Sequence, residues 1–445
     1  MNRVSVFFGV RIWLLCLLWL GQGGYVSAQP SEFHLTLSEA IKIALEDNPA
    51  IHVADQEIAL KKVSYKEAWQ SLLPTVDLTG SVSYTVKAAT MSLNGNNFKM
   101  GRDATSTWNG ILSVNLPVYA PAVYRTMKLG RMDIELAGEK SRESRLDMIN
   151  QVTKAYFQLL LSQDSYDVLK GSYAYSEKNY EMVNAKYQAG SVSEYDKISA
   201  EVQMRNLRPS LVAAENAVRL AEVQLKVLLG ISDAELGLVV DDSLKAYEHC
   251  VNLVESPENK GLLHNSVMRQ YDLNEKILAQ TLKVQKTNFF PTLSMNYQFQ
   301  DQSLFNDDFR FWHYDWAPSS TIALTLSVPL YRASNFTKLQ SIRIQMQQLG
   351  ENRINTERQL NMQVQSCLDN MTASVEQMGS NKESVAQAEK GRMIAEKRYN
   401  VGKGTMLELN NSEIVLTQAL LAYNQAIYDF LVAQADLKYL YGEEK

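Results

Sequence analysis

The sequence predicts an α+β membrane protein made of two internal repeats. A β-barrel shared between chains, with four strands from each, continues into a long barrel of coiled-coil helices. Three observations carry this expectation: landmarks that recur in order at near-constant spacing, four strictly alternating segments, and two long stretches without proline.

The chain opens with a predicted signal peptide over residues 1–28. Arg3 and Arg11 are its only charges, Ile12 to Leu20 form a short apolar core, and Val26-Ser27-Ala28 places small residues before Gln29. Cys16 follows Trp13-Leu14-Leu15, without the small residue a lipoprotein signal requires, so lipidation is not expected. No later apolar run approaches the roughly 18–20 residues of a membrane-spanning helix. Loss of Arg3 and Arg11 takes the net charge from −5 to −7, spread along the chain without a basic block, so nucleic acid is not an expected partner. Cys250 and Cys367 are too far apart in sequence to imply a disulfide framework.

The duplication organises the rest. Leu72-Leu73-Pro74-Thr75 matches Phe289-Phe290-Pro291-Thr292 at an offset of 217. Val114 to Tyr119 matches Leu326 to Tyr331, Lys186 to Gly190 matches Arg398 to Gly402, and Leu228-Leu229-Gly230 matches Leu440-Tyr441-Gly442, all at an offset of 212. The predicted units are a first repeat over 29–230, a connector over 231–260, and a second repeat over 261–445.

Each repeat is expected to carry a helix, a strand pair and long helices. Strand pairs fall at about 75–119 and 291–331, long helices at about 120–229 and 332–441. In the first strand Val76, Leu78, Val82, Tyr84 and Val86 share one face and Thr75, Asp77, Thr79, Ser81, Ser83 and Thr85 the other. The second sets Trp108, Leu112, Val114, Leu116 and Val118 against Thr107, Asn109, Ser113 and Asn115. Leu293, Met295, Tyr297 and Phe299 alternate with polar residues in the third, and Ile322, Leu324, Leu326, Val328 and Leu330 in the fourth. Such alternation fits a membrane barrel or a soluble sandwich equally well.

The helices decide between them. Of ten prolines none lies between Pro121 and Pro209 and none follows Pro329, and proline interrupts helix interiors. About 73 residues separate Pro117 from Gly190 and the same number Pro329 from Gly402, a constancy that suggests rigid helices. Roughly 70 helical residues span on the order of 100 Å. Leu416, Leu420, Tyr423, Ile427, Phe430, Gln434, Leu437 and Tyr441 form a heptad seam, as nearly do Leu360, Val364, Cys367, Met371, Val375 and Met378. Four strands cannot enclose a barrel, because the smallest membrane barrels need about eight. Several chains must therefore contribute, and three would give twelve strands.

Leu35 to Ile51, with Leu37-Ser38-Glu39-Ala40 and Asp47-Asn48-Pro49, resembles the opening motif of the TolC-like outer-membrane efflux family. The duplicated halves, the strand-ending prolines and the Tyr-x-x-Gly tips extend the resemblance from about Leu35 to Gly442. It implies a homotrimer in outer-membrane lipid, extending into the periplasm and docked on a periplasmic adaptor and, through it, an inner-membrane transporter.

The resemblance also points to site residues. Aligned on Gly402, the family's paired acidic positions at the periplasmic mouth hold Glu408 and Asn411, so one carboxylate ring is expected where the pattern has two. Tyr399 would face Asp196 and hold the mouth shut, or else be a heptad core residue. Gly404 occupies the family's arginine position, with Lys403 as the expected substitute cation. Ala189, Gly190, Val401 and Gly402 are the expected adaptor docking sites. Two outward connections, Lys87 to Ser106 and Asp301 to Ser319, are expected, the second with Phe309, Phe311, Trp312, Tyr314 and Trp316 as an aromatic girdle or a plug.

An enzyme is not expected. His34, His52, His249, His264 and His313 show no metal-ligand spacing, and Gly402-Lys403-Gly404-Thr405 follows a helix and lacks the Gly-Lys-Thr run of a phosphate loop. Neither metal nor cofactor is implied. The competing class is a structural or adhesive envelope trimer of coiled coils. Cargo is left open among antibiotics, metal ions, bile salts and polypeptides.

Overall fold

The structure, a computed structural model, describes residues 33–93, 96–231, 238–240, 242–248, 261–307 and 311–444. The predicted signal peptide and most of the 231–260 connector lie outside the described residues.

The first half runs β1 (Phe33–His34), α1 (Leu37–Asp47), α2 (Pro49–Gln70), β2 (Thr75–Thr85), β3 (Ala89–Leu93), β4 (Asn96–Met100), β5 (Thr105–Tyr119), α3 (Pro121–Gln188) and α4 (Glu194–Leu229). After β6 (Leu238–Val239) come α5 (Ser266–Thr287), β7 (Thr292–Asn306), β8 (Ala317–Ser327), α6 (Ala333–Asn400) and α7 (Met406–Tyr441). The two longest helices each have 68 residues and their successors 36 apiece, so the duplication reads out as equal rods. A 68-residue helix is about 100 Å long. None of the described helices is long and apolar enough to cross a membrane.

The main sheet has the order β2-β5-β7-β8 and is antiparallel throughout. Its register aligns like with like. Val76, Val114, Tyr297 and Ile322 form one cross-strand row, and the adjacent row is Asp77, Ser113, Gln298 and Thr321. Because side chains alternate along a strand, these rows lie on opposite faces. The apolar face is uncovered within the chain: Leu78 is 80% exposed, Ile322 72% and Leu324 66%.

Strand extents differ from the sequence expectation. The third strand reaches Asn306 and the fourth starts at Ala317, shortening the predicted 301–319 connection. Pairing of Asp301 with Gly110 and Pro318, and of Asn306 with Ser106, carries the ladder past the end of the alternation. Pro318 is tolerated at the start of an edge strand. The predicted 87–106 connection is itself partly a hairpin, β3 with β4, in which Met91 opposes Phe98. From the second connection Tyr314 is buried against Trp108, with ring centroids 6.0 Å apart, whereas Trp312 is 84% exposed.

The main core forms where α1, α3, α4, α6 and α7 meet, around Tyr156, Leu159, Leu160, Leu225, Leu229, Ile427 and Phe430. Of the predicted seams, Tyr423, Ile427, Phe430, Leu437, Tyr441, Leu360, Val364, Met371 and Met378 join this core and Cys367 packs against it, whereas Leu416 is buried outside it, Leu420 and Gln434 are half-buried, and Ser374 is buried where Val375 was expected. Pro209 lies inside α4, on its exposed side. The described part of the connector packs on this core. Phe33 and His34 pair with Leu238 and Val239, and Asp242 accepts hydrogen bonds from Tyr156 (3.0 Å) and Tyr247 (2.9 Å). Asp164 accepts from Ser243 Oγ and the Leu244 amide, and burial raises its pKa.

Each repeat is closed by the same device. The buried Asn48 caps α2 by accepting from the Ala50 amide at 2.8 Å and donates to the Leu228 carbonyl at 2.7 Å. In the second half Asn265 caps α5 by accepting from the Met268 amide at 3.1 Å and donates to the Leu440 carbonyl at 2.8 Å. One side chain thus satisfies a donor at one helix start and an acceptor at another helix end. Asn265→Ala is expected to cost about 0.5–2 kcal/mol for the cap and a further ~1–3 kcal/mol for the stranded carbonyl. A lowered melting temperature of the detergent-solubilised protein would register it, and Asn48→Ala should act alike.

Candidate functional site at the helical tips

Both long hairpins turn by the same backbone rule. Gly190 has φ +72° and Gly402 φ +69°, left-handed values that glycine adopts without penalty. Beyond them Ser191 donates to the Lys186 carbonyl at 2.9 Å and Lys403 to the Arg398 carbonyl at 2.8 Å. The next helices are also capped alike. Ser193 accepts from the Asp196 amide and Thr405 from the Glu408 amide, at 3.1 and 3.2 Å. Asp196 returns the favour, taking hydrogen bonds from the Ser193 hydroxyl and amide.

The two tips of one chain interlock. Val183, Ala200, Tyr399, Met406 and Leu409 make a small core of their own, separate from the main one. Lys186 Nζ lies 5.2 Å from the centre of the Tyr399 ring and donates to Asn400 Oδ1. Asn410 donates to Ser199 Oγ at 3.2 Å.

Tyr399 therefore does serve as a core residue, 8% exposed. Its hydroxyl is buried without an intrachain hydrogen bond. Burial, and secondly the charge of Asp196, push its pKa up. The expected Tyr399–Asp196 hydrogen bond is not made within the chain; Asp196 Oδ2 accepts from Ser193 in the cap of α4.

The expectations for cations change more. Glu408 is not a bare carboxylate: Arg398 Nη1 lies 3.5 Å from its Oε2, with both side chains about half exposed. Arg398 also donates to the Lys403 carbonyl at 3.2 Å. Within the chain Lys403 contributes its backbone carbonyl, and Arg398 is the cation beside Glu408. Gly404 makes room for this, since a Cβ there would lie 3.1 Å from both Arg398 Cβ and the Tyr399 amide nitrogen. Asn411 is exposed one helical turn beyond Glu408. Ala189, Gly190, Val401 and Gly402 are all exposed, Val401 by 68%. Arg398 and Asn410 are the tip residues that sequence reasoning missed. Arg398 had a signal, since it occupies the position of Lys186 in the repeat.

Two stretches, residues 40–231 and 259–443, match the sequence pattern that defines the family described as outer membrane efflux protein. The chain belongs to the outer membrane efflux protein family. The two matched stretches fall on the two halves of the fold. Among relatives, the outer membrane protein TolC of Salmonella enteritidis is 22% identical over 96% of this chain and 85% of its own length. The alkaline protease secretion protein AprF of Pseudomonas aeruginosa is 21% identical over 96% of this chain and 88% of its own. In fold, the Campylobacter jejuni CmeC outer membrane channel superposes with a TM-score of 0.72 at 16% identity, covering 94% of this chain and 90% of that one. As a family member the chain resides in the outer membrane and reaches into the periplasm, with its four-stranded sheet as the membrane element.

Proposed function

We propose that the chain is the outer-membrane channel of a tripartite efflux pump or a type I secretion system, a passive exit duct closed by three copies. The observation that carries this is the uncovered apolar face of a sheet whose other face is polar, joined directly to rods of 68 residues. Strands β2 and β8 are edges in the chain, and an unpaired edge in lipid leaves backbone groups unsatisfied. Since β2 and β8 run in opposite directions, β8 of one copy can continue antiparallel into β2 of the next.

A periplasmic adaptor docks, in this reading, at the exposed clefts beside Ala189-Gly190 and Val401-Gly402, and an inner-membrane transporter joins through it. In the same reading Tyr399, whose hydroxyl has no hydrogen-bond partner within the chain, meets Asp196 of a neighbouring copy and so links the tips, while Glu408 and Asn411 face the mouth. The signal peptide, two repeats and connector divide the chain as its sequence suggests. The family is described by efflux and one relative is named for protease secretion, so both cargo classes fit.

A photo-crosslinking residue placed at Val401 tests the docking. In intact cells it should give an adduct of trimer with a periplasmic adaptor, absent when the same residue replaces exposed Trp312 at the opposite end. Equal adducts at both positions, or none at Val401 and Ala189 alike, would refute docking at the tips.

A further inference from the structure

The second tip carries more positive than negative charge. From Lys397 to Asn411 the sequence holds Lys397, Arg398 and Lys403 against the single acid Glu408. From Lys186 to Ser199 the first tip is balanced, Lys186 and Lys197 against Glu194 and Asp196. This excess stands out in a chain whose net charge is −5.

Arg398 is held where it can act on Glu408. Its guanidinium bridges the Lys403 carbonyl at 3.2 Å and the Glu408 carboxylate at 3.5 Å, so the turn at Gly402 fixes it beside the acid. Gly404 leaves the space that lets the loop lie against the Arg398 stem. Lys186, its counterpart in the first repeat, is directed instead onto the Tyr399 ring and Asn400. Asn411 adds no second carboxylate.

We propose that Arg398 sets the charge preference of the periplasmic mouth by cancelling the Glu408 carboxylate within each chain. The mouth then presents a ring of paired charges with surplus cations. It does not retain multivalent metal ions, and it admits anionic solutes at least as readily as cationic ones. Rings of unpaired carboxylates do the reverse, concentrating cations in a narrow pore. This inference rests on the channel reading, with Glu408 at the constriction.

Reversal potentials of the purified full-length protein in planar bilayers under a KCl gradient test it, with MgCl2 then added on the side of the helical tips. The wild type should show no cation preference and no block by millimolar Mg2+. Arg398→Gln should move the reversal potential toward that of K+ and make the current sensitive to Mg2+, while Arg398→Lys should not. Charge exchange, Arg398→Glu with Glu408→Arg, should restore the wild-type values. If Arg398→Gln fails to assemble, Glu408→Gln gives the second reading, a shift toward Cl−. A wild type already cation-selective and blocked by Mg2+, or an Arg398→Gln channel indistinguishable from it, would overturn the proposal. Absence of conductance in every variant would instead overturn the channel reading.

Discussion

Ile322→Arg is expected to remove the protein from the outer membrane, whereas Thr321→Arg, one residue earlier, leaves it there. Ile322 is 72% exposed in the chain and closes the apolar row of Val76, Val114 and Tyr297 at the middle of the sheet. An arginine on the lipid side of a membrane barrel near the midplane costs about 2–4 kcal/mol. Three copies multiply that to roughly 6–12 kcal/mol per barrel, comparable with the whole stability of an ordinary domain. Thr321 lies in the polar row of Asp77, Ser113 and Gln298, where an added cation meets water and a carboxylate. Immunoblots of outer-membrane fractions read the contrast. Equal loss in both variants would mean that the faces are assigned wrongly.

Gly442→Ala is the second substitution with a large expected effect. Gly442 has φ +70°, and a Cβ there would stand 2.3 Å from the His264 carbonyl oxygen, which already accepts from Arg142 at 2.8 Å. Backbone must move on one side or the other, and the same junction holds the Asn265–Leu440 hydrogen bond. A left-handed alanine costs about 1–2 kcal/mol and overpacking against fixed backbone about 1–3 kcal/mol more. Gly230 repeats the arrangement more loosely, 2.9 Å from the Asp47 carbonyl oxygen, so Gly230→Ala should cost less. Gly190→Ala has open space around its Cβ and should pay the conformational term alone. Thermal melts of the three variants should therefore rank Gly442, Gly230, Gly190 from most to least damaged.

The features legible in the sequence were those set by local chemistry and repetition. Alternation at Val76 to Tyr84 and Ile322 to Leu326 gave the strand faces, because the side-chain period of a strand is fixed. Constant spacing between Pro117 and Gly190, and again between Pro329 and Gly402, gave the helix lengths. The turn glycines were readable because few other residues adopt a left-handed backbone.

Less legible were features made by contacts between distant segments. The bonds from Asn48 to Leu228 and from Asn265 to Leu440 join residues 180 and 175 positions apart, which no local pattern announces. Strand β7 runs on to Asn306 because a partner strand is there to pair with it, not because its side chains alternate. At the tip, the repeat places Asp196 and Glu408 alike, each third in its helix. Their partners separate them: Asp196 turns back onto Ser193, while Glu408 reaches Arg398. Which carboxylate a flexible cation meets depends on how the turn folds, and at Gly404 the loop lies against the Arg398 stem.

Single-channel recording of the purified, detergent-extracted protein in planar bilayers decides whether the chain is an exit duct. Discrete conductance steps are expected, with Ile322→Arg protein giving none because it no longer inserts. Oligomers that insert stably into the bilayer and never conduct, even when Tyr399→Phe and Glu408→Ala loosen the mouth, would contradict it.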